Sequence, residues 1–149
     1  MRELSLNILD VAQNSITANA SLITIEVAEN TTDHTLLIGI YDNGKGMSEE
    51  QVKSVVDPFF TTRTTRKVGM GIPLFKMAAE QTGGSFTIES QKGEGTRVKA
   101  LFKTDSIDFT PVGDMEATIS TIVSMNEDKD FIYIRSVDDR EFKFSSAEI

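Results

Sequence analysis

Two short runs rich in β-branched residues, set close together, most constrain how this chain can fold. Residues 21–28 (SLITIEVA) alternate apolar and polar side chains, and 35–41 (TLLIGIY) form a second run of the same kind. A period of two puts alternate side chains on opposite faces of a sheet. The polar stretch 29–33 between the runs is a turn, so the pair reads as a hairpin. A hairpin with one apolar face needs a cover, and residues 2–19 offer one. They read as a helix in which Leu4, Ile8, Val11 and Ala12 recur near the helical period and Leu9 and Ile16 widen the stripe.

The rest of the chain repeats this grammar. Ser48 and Gln51 form a capping-box pattern that opens a short helix to residue 55 or 56. The segment DPFFTTRTTRKVGMG has no clean period and reads as a loop. A helix over 72–81 follows, with Pro73 in its first turn and Gly83-Gly84 closing it. Strands at 85–90 and 96–103 bracket the turn QKGEG. Beyond TDSIDFTP, Asp114 caps a helix with Met115, Ile119, Ile122 and Val123 on one face. FIYIRS and EFKFS then pair about Val137-Asp138-Asp139-Arg140. This order predicts an α+β fold, a two-layer sandwich in which helices cover one face of a mixed, mainly antiparallel sheet.

Charge divides the chain unevenly. Residues 105–149 carry eleven acids and four bases, a balance of -7, whereas 1–104 carry twelve acids and eleven bases, a balance of -1. The expected organisation is therefore a core domain over 1–104 and an acidic αββ extension over 105–149, packed on the same domain. The overall -8 argues against nucleic acid as a partner. No apolar run approaches the ~20 residues that span a bilayer, so no membrane association is expected. The opening MRELSLNILD lacks a secretory pattern and the chain has no cysteine, which together suit a cytoplasmic protein.

Four local patterns can carry chemistry. Asn7, Asp10 and Asn14 are spaced by three and four, which puts them on one helix face. That line serves either a hydrated Mg²⁺ and a positioned water or a plain solvated surface. Asp42-Asn43-Gly44-Lys45-Gly46-Met47 follows a strand directly; its carboxylate can accept from an exocyclic amine while Gly44 and Gly46 let backbone approach a flat ligand. The same residues also make a common hairpin turn. Gly69-Met70-Gly71 leads into a helix N-terminus that suits phosphate, behind a stretch holding Thr61, Thr62, Arg63, Arg66 and Lys67 without an acid. It matches neither GxxxxGK[ST] nor GxGxxG, and a solvated basic loop accounts for it as well. Gly93-Glu94-Gly95-Thr96, before the last core strand, reads in isolation as a turn.

Taken in order, these patterns resemble those of the GHKL ATPases, the superfamily of DNA gyrase, Hsp90-type chaperones, histidine kinases and MutL. ILDVAQNSITANA is similar to their N-box, YDNGKGM to the G1 box, DPFFTT to the F box, VGMGIPLF to the G2 box, and GGSFTIESQKGEGTRVKALF to the closing strands. The resemblance spans roughly residues 3–103 and implies a Bergerat-type sandwich that binds ATP with Mg²⁺. It implies that Asp42 takes the adenine amino group, with Thr96, Gly44 and Gly46 around it. Asn14 takes the metal that bridges the phosphates. Gly69, Met70 and Gly71 meet the phosphates, and residues 61–68, with Thr61, Thr62, Arg63 and Lys67, form a short lid.

Two departures shape the functional expectation. The hydrolytic members carry a glutamate as general base where this chain has Asp10, one methylene shorter. The only histidine, His34, falls in a turn between strands and not on a helix that could serve as a phospho-acceptor. The expectation is an ATP-binding regulatory module that phosphorylates or controls a separate protein partner. The alternatives are a slow Mg-dependent ATPase using Asp10 as base, and a non-catalytic interaction module.

Overall fold

A computed structural model of the chain describes residues 4–56 and 71–146. Helix α1 (Leu4–Thr17) leads into the hairpin of β1 (Leu22–Asn30) and β2 (Thr35–Asp42), then α2 (Glu49–Val55). After the next described helix, α3 (Gly71–Gln81), come β3 (Ser85–Gln91) and β4 (Gly95–Lys103), then α4 (Met115–Met125), β5 (Asp130–Val137) and β6 (Arg140–Ser145). The fold is α+β: one six-stranded sheet in the order β3-β4-β2-β1-β5-β6. Every neighbouring pair is antiparallel except β1 with β5, which run parallel.

Alternation directs one side of each central strand into the core. Ile23, Ile25 and Val27 of β1, Leu36, Ile38 and Ile40 of β2, and Val98, Ala100 and Phe102 of β4 are buried. Against them pack Leu4, Ile8, Val11 and Ala12 of α1, and Ile72, Phe75, Ala78 and Ala79 of α3. Phe75 anchors an aromatic group, its ring centroid 5.7 Å from that of Phe102 and 6.4 Å from that of Phe86. The predicted α1 ends at Thr17, two residues earlier than the sequence suggests. Its first described amides, Leu4 and Ser5, donate to the carbonyls of Pro111 and Val112 at 2.8 Å, which joins this part of the helix to the segment before α4.

The opposite sheet face carries polar side chains. The Tyr41 hydroxyl donates to Glu26 Oε1 at 3.1 Å, and the Arg97 guanidinium lies 4.5 Å from the Tyr41 ring centroid. Burial, then the charge and hydrogen bond of Glu26, push the Tyr41 phenol above its usual range, with Arg97 opposing.

The C-terminal elements join this sheet through long-range hydrogen bonds. Ile23 pairs with Phe131 across β1 and β5, and the Asp130 amide donates to Ser21 O at 2.8 Å. At the far end Asp138 takes both donors of Thr31, the amide at 2.8 Å and the hydroxyl at 2.6 Å. Asp114 caps α4 by accepting from the Ala117 amide at 3.0 Å, as the sequence predicts. His34 is exposed in the β1–β2 turn. No described helix is long and apolar enough to cross a membrane.

Candidate nucleotide site

Between the C-terminal half of α1 and the ends of β2 and β4 lies a cavity of about 400 Å³. Ile40, Ile72 and Val98 give it apolar walls; Asn14, Ser15, Asp42 and Thr96 give it polar ones. Gly46, Met47 and α2, through Gln51 and Val55, border it on a further side. The capping box of α2 is formed: Ser48 Oγ accepts from the Gln51 amide at 3.2 Å and the Ser48 amide donates to Gln51 Oε1 at 2.8 Å.

Asp42 is the last residue of β2, and its carboxylate is fixed from two sides. Oδ2 accepts from Ser15 Oγ at 2.5 Å and Oδ1 accepts from the Gly44 amide at 2.9 Å. Each oxygen keeps a lone pair for a further donor. The segment after it does not turn back as a hairpin. Asn43 Oδ1 instead accepts from the Ser21 and Leu22 amides at 2.9 Å, and the Lys45 amide donates to Ala18 O at 3.0 Å. Gly46 adopts φ +70, and a Cβ there would run into the carbonyl of Gln91, so only glycine closes this turn without displacement.

Register sets Thr96 directly opposite Asp42. Thr96 is nearly buried, and its hydroxyl lies 2.8 Å from Ser90 Oγ across the β3–β4 hairpin. Ser90 Oγ also accepts from the Met47 amide at 2.8 Å and donates to Gly95 O at 3.0 Å. Ser90 therefore ties the turn after Asp42 to the strand bearing Thr96. Neither Ser15 nor Ser90 is singled out by the sequence patterns. Ser90 was within reach of them, because a hairpin closed by KGEG pairs residue 90 with 96.

The helical polar line separates by environment. Asn7 is 8% exposed, Asp10 is exposed and outside the cavity lining, and only Asn14 borders the cavity. Asn14 Nδ2 is buried with no hydrogen-bond partner among the described residues. Such an orphan costs about 1–3 kcal/mol unless a ligand atom meets it, and a half-turn of the carboxamide presents its oxygen to a cation instead. Gly71 opens α3 against α1: a Cβ there would lie 2.8 Å from Asp10 Cβ. Thr61, Thr62, Arg63, Lys67, Gly69 and Met70, with Phe59, Phe60 and Arg66, lie outside the described residues. Among the described residues no cluster of three His, Asp or Glu stands ready to hold a metal unaided.

A helix-covered sheet with a fixed carboxylate at a strand end, beside a cavity of about 400 Å³, is an arrangement that suits a nucleotide-binding sandwich. The chain belongs to the histidine kinase-, DNA gyrase B-, and HSP90-like ATPases, a family that matches residues 1–106. Sensor histidine kinase ZraS of Salmonella typhi is 34% identical over 73 residues, covering 49% of this chain and 15% of that protein. Sporulation kinase C of Bacillus subtilis (strain 168) is 30% identical over 102 residues, covering 66% of this chain and 23% of that protein. The chain thus spans less than a quarter of either relative. The Aquifex aeolicus MutL ATPase domain complexed with ADP shares the fold, with a TM-score of 0.56 at 14% identity over 97% of this chain and 64% of that one. The chain is a histidine kinase-like ATP-binding domain.

Proposed function

We propose that this chain is a Mg-ATP-binding regulatory module, working in the cytoplasm on a separate protein partner. The observation that carries this reading is Asp42, fixed by Ser15 and the Gly44 amide beside a cavity whose other polar wall holds the unpaired Asn14 amide. Asp42 would accept the adenine amino group, and Thr96, Gly44 and Gly46 would shape the pocket around the base. Asn14 would hold Mg²⁺ against the phosphates. Gly71, with Gly69 and Met70 before it, would offer amides to the phosphates, and Thr61, Thr62, Arg63 and Lys67 would close over them. Bound ATP would supply a transferable phosphoryl group and Mg²⁺ would neutralise its charge.

Binding without fast hydrolysis is supported by the length of the Asp10 side chain. Asp10 lies one turn before Asn14 and packs beside Gly71, but its carboxylate is one methylene shorter than the glutamate that serves as general base in the hydrolytic members. Kinase-like transfer to a partner fits the single His34, which sits exposed in a turn.

Calorimetric titration with Mg-ATP and with ADP tests the reading. Wild type should bind both, and Asp42→Asn should weaken binding by about 10- to 100-fold, the worth of a charge-assisted hydrogen bond. A wild-type chain that takes up neither nucleotide at about 1 mM overturns the proposal.

A further inference from the structure

The two edges of the sheet are treated differently. β3 has α2 beside it, with Glu49, Val52 and Lys53 facing Ile88 and Glu89. β6, at the other end of the strand order, has no described strand on its outer side. Its Phe142 is 57% exposed, the most exposed aromatic residue of the described core elements, and its ring lies 6.4 Å from that of Tyr133. Phe142 and Phe144 continue an apolar groove of about 390 Å³ floored by Ile119 and Val123 of α4. An edge strand with no described neighbour on its outer side, beside an apolar groove, is a template for another strand.

We propose that this edge is a self-association surface that takes β6 of a second copy of this chain, in antiparallel pairing about a twofold axis at Phe142. The occupant is argued from charge. β6 reads Arg140-Glu141-Phe142-Lys143-Phe144-Ser145, with Phe142 and Phe144 on the helix-covered side and Glu141 and Lys143 on the other. Pairing centred on Phe142 sets Phe142 against the partner's Phe142. It also sets Glu141 against the partner's Lys143, and Lys143 against the partner's Glu141. Sliding two residues one way brings Glu141 against the partner's Glu141; sliding two the other way brings Lys143 against the partner's Lys143. A one-residue slip turns the bare face of one copy to the helix-covered side of the other. Only the centred register joins opposite charges and aromatic rings at once. It also keeps the α4 helices on one side, so the partner's Phe142 closes the mouth of the groove. An isologous contact of this kind closes on itself as a dimer and does not propagate.

Sedimentation velocity on the 149-residue chain tests this, with circular dichroism and melting temperature confirming that each variant is folded. Wild type should form a two-chain species over about 1–200 µM, and Phe142→Asp should remain single throughout that range. Glu141→Lys and Lys143→Glu should each weaken association by about tenfold or more, since symmetry sets like charges face to face twice. The double swap, Glu141→Lys with Lys143→Glu, should return association to within about threefold of wild type. A wild type that stays single at about 200 µM, leaving the edge to a strand from another protein, overturns the proposal. So does a double swap as weak as the single ones, which would mean another register or another surface.

Discussion

The end of the sheet under α1, β2 and β4 and the end under α4, β1 and β5 meet the same need, a covered apolar face, by different means. At the first, the core stops short and leaves a cavity, and the polar side chains around it are joined in pairs: Ser15 with Asp42, Ser90 with Thr96. At the second, Phe131, Met115 and Ile122 fill the space beneath α4 and are almost wholly buried, and the apolar groove toward Phe142 lies at its outer margin. On the proposed reading, a nucleotide site arises here by withholding apolar volume and supplying polar groups that keep hydrogen-bonding capacity. The packed end lets the cavity end exist, because buried apolar area there offsets what the cavity forgoes.

The comparison can be strained from either side. The largest effect should come from the filled end. Phe131→Ala, in β5 opposite Ile23 of β1, should cost about 3–5 kcal/mol of stability in urea denaturation. We propose that the acidic extension and the nucleotide-binding core melt as one cooperative unit, so this loss should appear in a single transition. Two transitions, with the nucleotide-stabilised one unmoved, would separate the extension from the core.

A smaller change is expected at the cavity end. Ser90→Ala removes the acceptor of the Met47 amide and the partner of Thr96, and should cost about 1–2 kcal/mol of stability. ADP affinity should fall with it, by about 5- to 30-fold in calorimetry, because the turn after Asp42 loses its tether to β4. Unchanged affinity at reduced stability would make Ser90 a packing residue alone.

The smallest effect should lie at the exposed clamp between Thr31 and Asp138. The hydrogen bonds from Thr31 hold the Asp138 carboxyl below its ordinary range. The folded state therefore takes up this proton less readily than the unfolded chain. The clamp's contribution should be fully present above the unfolded value of about 3.9 and fade as pH falls through the lowered folded value. Comparing wild type with Asp138→Asn from neutral to acid pH reads this directly. A difference that grows toward low pH contradicts it.

Local grammar was readable in the sequence; long-range pairing was not. The capping box of Ser48 and Gln51, the Asp114 cap and the hairpin at Val137–Arg140 each depend on a few adjacent residues, and all three are present. The parallel contact of β1 with β5 joins segments about a hundred residues apart, and no periodicity encodes which strand becomes the neighbour. At the site, Asp42 could be placed at a strand end, but DNG also has the composition of a turn. The clip of Asn43 onto Ser21 and Leu22, which removes that ambiguity, requires the start of β1 to lie alongside. The polar line of α1 was legible as spacing alone, which does not say how deep each side chain sits; Asn7 lies in the interior while Asp10 faces solvent.

That clip has a thermodynamic consequence. Within four residues, Asp42 is bonded to Ser15, Asn43 to Ser21 and Leu22, and Lys45 to Ala18. The wall that would greet an adenine ring is thus set by folding itself, and little ordering is left for the encounter. Uptake of the base should show a small entropic penalty and fast arrival, and departure should not depend on loosening of this joint.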